Sequence, residues 1–154
     1  MEPHRRAAHV QADQFGQPFA EASPTGRVVD RDAGPGERAY AMWTHLGPMI
    51  AWFVAAGSSG IGFPIPLAVA WIMWLSRKND SPFLDDHGKQ SLNFQISLIA
   101  IFLILILLAI PTCFVTFAAS PLIIVLAIVG AIMGSVAANR GEFFRYPMTW
   151  TWVK

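Results

Sequence analysis

Three sets of residues in this sequence are of types that do chemistry, and all three lie in or beside long apolar runs. Asp85, Asp86 and His87 set two carboxylates and an imidazole side by side, donors that suit several divalent ions. Adjacent carboxylates leave a helix on different faces, however, and Asp85 stands i,i+4 from Lys89 in the favourable orientation. The plainer reading is a helix N-terminus whose acidic residues complement the backbone dipole, with no metal held. Thr44 and His45 form the second set, inside an apolar stretch where ionisable groups are costly and turn toward protein. No carboxylate shares their depth, so a proton relay lacks an acidic partner; a neutral histidine bonded to a neighbouring helix is expected. The third set is Gln90, Asn93 and Ser97, which at 100° per residue fall in a helical stripe about 60° wide. Gln95 points elsewhere. Such a stripe ties helices together or lines a polar path, and the first is expected, with Asn93 bonded to another helix.

Other chemistries lack their residues. There is no nucleophile–base pair, no phosphate-cradling glycine loop after a strand and no cofactor motif, so neither an enzyme nor a cofactor is expected. The single cysteine, Cys113, excludes an intramolecular disulfide and a cysteine-based zinc cluster. No basic cluster with interleaved aromatics points to nucleic acid.

The elements that must position these residues are set by where charge is missing. Only 14% of the 154 residues are charged and 54% are hydrophobic, a balance outside the globular range of about one-quarter charged. Residues 39–76 hold no Asp, Glu, Lys or Arg, and none follows Lys89 until Arg140. The stretch 76–97 is therefore an island of charge between membrane-like runs. Residues 1–38 are polar and rich in Pro and Gly, and predict a disordered tail; a transmembrane domain fills 39–154. Its four predicted spans are 40–57, interrupted by Pro48; 61–76; a long helix from Pro82 to about Ile110; and 121–139. A turn is expected at 57–60, and Ser81-Pro82 reads as an N-cap with Pro at the first helical position. Gly130 and Gly134 make a small-xxx-small pattern for close helix packing, favoured within the chain. The final segment, NRGEFFRYPMTWTWVK, mixes aromatic and basic residues as a headgroup-level segment does.

Every Lys and Arg falls in the tail, the island or the C-terminal segment. With four spans these share one side, and the positive-inside rule makes that side the cytosol for both termini. A re-entrant first hairpin would leave this orientation unchanged.

The run SPFLDDHGKQSLNFQIS, with AMWTHL upstream and AANRGEFFRYP downstream, resembles a widespread group of small bacterial membrane proteins of unknown function. Those are described as distantly similar to the channel-like subunit of the chloroplast inner-envelope import translocon. The resemblance spans about residues 40–152, and its most specific positions are Asp86, His87, Gly88, Lys89, Asn93 and Gln95. Gln90 stands where many members carry an acidic residue. The resemblance implies a four-helix membrane domain and no established activity. The expectation is thus an all-α multi-pass protein of the bacterial cytoplasmic membrane, in contact with lipid and with a membrane-protein partner or a second copy. A non-enzymatic scaffold or assembly subunit is the leading function. A channel- or translocon-like component with a path lined by the third helix is the alternative.

Overall fold

Four helices carry the chain: α1 (Pro35–Gly57), α2 (Ile65–Arg77), α3 (Pro82–Ala109) and α4 (Ser120–Asn139). The computed structural model describes residues 20–23, 25–57, 62, 64–112, 114–147 and 149–154. Residues 1–19, residues 58–60 where a turn was expected, and Cys113 lie outside the described residues. Among the described residues the fold is all-helical apart from one short strand pair, β1 (Ala20–Ala22) and β2 (Val28–Val29).

Helix starts follow local chemistry. Ser81 is extended, and its hydroxyl accepts from Leu84 N, so α3 opens with a side-chain cap and Pro82 in the first turn. Asp85 and Lys89 pair at 2.7 Å across one turn. At α1, the Glu37 carboxylate accepts from Gly34 N at 3.0 Å, and the helix begins at Pro35 rather than at residue 40. Pro48 stays inside α1, which continues through it.

Two of the four helices, α3 and α4, are long and apolar enough to cross a membrane, rather than the four expected. At 1.5 Å per residue the 13 residues of α2 extend only about 20 Å, short of a hydrocarbon core of about 30 Å. α1 has the length, with 23 residues, but carries Glu37, Arg38, Thr44, His45 and Pro48.

α1 packs against α4, α2 and α3, and α2 lies along α3. The first turns of α1 and α3 meet the last turns of α2 and α4 at one end, where Phe83, Leu84, Ala41, Ala138 and Ala33 form a core cluster. A second cluster joins Phe94 and Leu98 to Ile123, Ala127, Phe144 and Tyr146. Burial then stops. Beyond Leu98, α3 turns outward Leu103, Ile104, Ile106 and Leu107, and Phe114 and Val115 continue the belt. Apolar surface of that extent is a membrane or partner surface.

The disorder expected over 1–38 does not hold for its described part. Asp30 N donates to Gly141 O at 2.8 Å and Phe143 N to Val28 O at 2.9 Å, so this segment is stitched to the turn after α4. Composition shows a lack of apolar periodicity but not the distant backbone partner that replaces it.

Candidate functional site

Gly141 makes the site. Its φ of +73° turns the chain back after α4, in a left-handed conformation that favours glycine, and a Cβ there would sit 3.1 Å from Asp30 O. The returning segment then runs extended, so alternate residues face inward: Glu142, Phe144 and Tyr146 are buried, while Arg145 and Pro147 are exposed.

That segment meets two histidines from different helices. The Tyr146 hydroxyl lies 2.7 Å from His45 Nδ1, His45 Nε2 lies 2.9 Å from His87 Nδ1, and His87 Nε2 lies 3.1 Å from Glu142 O. A carbonyl only accepts, so His87 carries its proton on Nε2 and accepts on Nδ1. His45 then donates from Nε2 and accepts the Tyr146 proton on Nδ1. One direction of donation runs through all four groups. Burial pushes the Tyr146 phenol well up from its ordinary value, which keeps it a donor. The rings pack as well: Tyr146 stacks on Phe94 at 4.0 Å between centroids, and Phe83 meets His87 edge-on at 4.5 Å.

The two packing glycines leave room for this cluster. A Cβ on Gly134 would lie 2.9 Å from the His45 ring and 3.0 Å from the Tyr146 hydroxyl oxygen; one on Gly130 would lie 2.6 Å from Phe94. Both serve contacts within the chain, and they admit side chains rather than a second helix backbone. Gly88 works alike for α2, since a Cβ there would lie 2.5 Å from Trp74, whose Nε1 donates to Asp85 at 2.7 Å.

The polar stripe is partly reassigned. Asn93 does not bond another helix; its Oδ1 accepts from Trp152 N at 2.9 Å and Val153 N at 2.7 Å, and its Nδ2 donates to Val153 O at 3.0 Å. An extended backbone offers the paired donor and acceptor that a primary amide matches, which helix backbones do not. Ser97 accepts from Trp150 N at 3.1 Å and donates back to Asn93 O. Gln90 is half-buried at the edge of the same contact. Thr44 donates to Ala41 O at 2.7 Å, while its own carbonyl accepts from Ser91. Gln95, on a different face, accepts from Trp52 Nε1 at 2.8 Å. Asp86 pairs with Arg145 at 2.6 Å. Among the described residues, no three His, Cys, Asp or Glu side chains converge to hold a metal ion.

The residues that carry the resemblance, from the α1 histidine to the aromatic return segment, therefore build one structure. Residues 36–153 match the family model described as the Magnetosome magnetite crystal formation protein family. The chain belongs to that family. No curated protein and no solved structure matches it. The magnetosome family match agrees with a bacterial membrane protein and gives no support to the likeness to the import translocon. The matched stretch begins within α1 and takes in all four members of the hydrogen-bonded relay, Tyr146, His45, His87 and Glu142.

Sequence reasoning found His45 and His87 separately and missed Tyr146, Glu142 and Ser91. The alternation Glu142, Phe144, Tyr146 after a glycine was the available signal, since an extended segment with one buried face repeats every second residue. Nothing local ties His45 to His87; that pairing exists only in three dimensions.

Proposed function

We propose that this chain is a non-enzymatic scaffold or assembly subunit of a membrane complex, and that it serves magnetite crystal formation as its family description implies. The observation that carries the reading is the state of its most chemically capable residues. His45, His87 and Tyr146 are 1%, 0% and 7% exposed, and each ring nitrogen and the hydroxyl is engaged within the protein. Groups held in this way fix a bundle; they do not reach a substrate.

The topology that fits is multi-pass, in the bacterial cytoplasmic membrane, with both termini cytosolic. α3 and α4 cross, and α1 and α2 form a hairpin that enters and returns beside them. Outward-facing Ile50, Phe53 and Val54 on α1 and Trp71, Ile72 and Leu75 on α2 extend the apolar surface of the other two helices. The charged segments gather at the opposite end: Arg77 lies over the Tyr40 ring, and Arg145 reaches Asp86. Lipid and a membrane-protein partner or second copy are the contacts such a surface serves. Sealing of Asn93 and Ser97 by residues 150–153 favours the scaffold over a lined path.

Affinity purification in mild detergent, with partners identified by mass spectrometry, should recover a defined set of membrane proteins. Magnetite crystals in cells lacking the protein should be altered in size or number by electron microscopy and restored by the wild-type chain. Unaltered crystals, or recovery of the protein alone as a monomer, would count against the proposal.

A further inference from the structure

The four helices do not reach the same depth. α2 runs only about 20 Å from Arg77, which lies over the Tyr40 ring at the charged end. α1 keeps a buried face as far as Ala55, and near that end Trp52 Nε1 donates to Gln95 at 2.8 Å. α3 goes on, its 28 residues extending about 42 Å. Past Leu98 the cover ends. Among the described residues 99–108 of α3 none is buried, and among 121–129 of α4 only Ile123 and Ala127 are, both in the cluster with Leu98. Toward the charged end α4 instead meets two neighbours, since Gly130 admits Phe94 of α3 and Gly134 admits His45 of α1. The bundle is four helices wide at its charged end and two wide at the other.

The narrow end is built for hydrocarbon, because no charge lies between Lys89 and Arg140. The connection between α1 and α2 suits a stop inside the bilayer. Residues 57–64 are uncharged, Gly62 is buried, and the exposed Pro64 has no N–H to satisfy. In a hydrocarbon core of about 30 Å, a hairpin about 20 Å deep from the interface fills one leaflet and ends near the middle. At about 10–12 Å across each helix, it adds about 200 Å² to that leaflet alone. The leaflets of a flat bilayer have equal areas, so an unequal inclusion strains them. Bending convex toward the wide end relieves the strain.

We infer that this chain is a membrane wedge, and that its preferred partner is a bilayer curved convexly toward its charged face. The inference rests on the topology proposed above, in which α3 and α4 cross while α1 and α2 enter and return. With the charged end cytosolic, the favoured membrane is one that bulges into the cytosol as a bud or vesicle.

The test uses the full chain, labelled with a fluorophore at its N-terminus and reconstituted in giant vesicles from which thin tubes are pulled outward. An impermeant quencher reports which face of the protein is outside. With the charged face outside, protein density in the tube should exceed that in the parent vesicle by at least about twofold, on the modest energy scale of bilayer mismatch. With that face inside, the tube should be depleted. Combined Phe53→Ala, Trp71→Ala and Ile72→Ala trim the wide end and should lower the enrichment; combined Leu103→Ala, Leu107→Ala and Ile110→Ala trim the narrow end and should raise it. All these side chains are exposed, and unfolding temperatures in detergent check that the fold is kept. Equal densities in tube and vesicle, or enrichment that ignores orientation, would overturn the inference. A separate probe reads the topology: Ser59→Cys in a Cys113→Ala chain should resist impermeant thiol reagents from both sides. Labelling from the narrow side would overturn topology and wedge together, whereas protection with equal densities overturns the wedge alone.

Discussion

Ser91 and Pro48 act on the same oxygen. Pro48 has no N–H to give the Thr44 carbonyl four residues earlier, and the Ser91 hydroxyl from α3 donates to that carbonyl instead. A gap in one helix ladder thus becomes a tie between two helices, and α1 continues past its proline.

Ser91→Ala should destabilise the protein by about 1 kcal/mol, the scale of one interhelical hydrogen bond in a membrane protein. Pro48→Ala restores the N–H, so the serine should matter less in that background. Chemical unfolding of all four members of the cycle reads the coupling. Additive effects would show that the two residues do not share the carbonyl.

Gly134→Ala places a methyl 2.9 Å from the His45 ring and 3.0 Å from the Tyr146 hydroxyl oxygen. Overpacking of this kind should cost about 1–3 kcal/mol. Imidazole nitrogen chemical shifts should also report loss of the Tyr146–His45 hydrogen bond. A variant with wild-type stability and unchanged imidazole signals would place the glycine away from the relay.

Tyr146 gives a pH dependence with a definite sign. Its phenol titrates above the ordinary value of 10.0 in the folded chain, so above that pH the unfolded chain releases a proton the folded one keeps. The stabilisation is therefore complete below about pH 10 and declines as pH rises beyond it. Tyr146→Phe should flatten this alkaline decline in denaturant titrations. An identical slope in the variant would show that burial does not control the phenol.

Asn93→Leu removes three hydrogen bonds to residues 152 and 153. It should free the C-terminal segment at a cost of roughly 1–3 kcal/mol. Limited carboxypeptidase digestion should accelerate, and fluorescence from Trp150 and Trp152 should change. Protection equal to wild type would mean that the segment is held by other contacts.

The helical body was legible because it is written locally. Ser81-Pro82 announces α3, the charge gap after Lys89 announces its apolar length, and Asp85 with Lys89 makes the expected turn-to-turn pair. Gly130 and Gly134 were legible as close-approach positions, though their neighbours are rings and not a helix. Asn93 shows where local reading ends. Its face was correct, but its partner is backbone about sixty residues on, which no periodicity within α3 encodes. The tail fails for the same reason: Val28 and Asp30 owe their order to Gly141 and Phe143.

The relay also fixes an order of events during synthesis. His45 and His87 emerge early and Tyr146 only after the last helix, 101 residues beyond His45. Chains are made from the N-terminus at about 5–20 residues per second, so all four helices are complete before their shared polar core can close. Until then two imidazoles face one another without the hydroxyl and carbonyl that set their direction. The segment after α4 is a keystone delivered last, and a chain stopped at Arg140 would hold its helices with the centre open to chaperones and proteases.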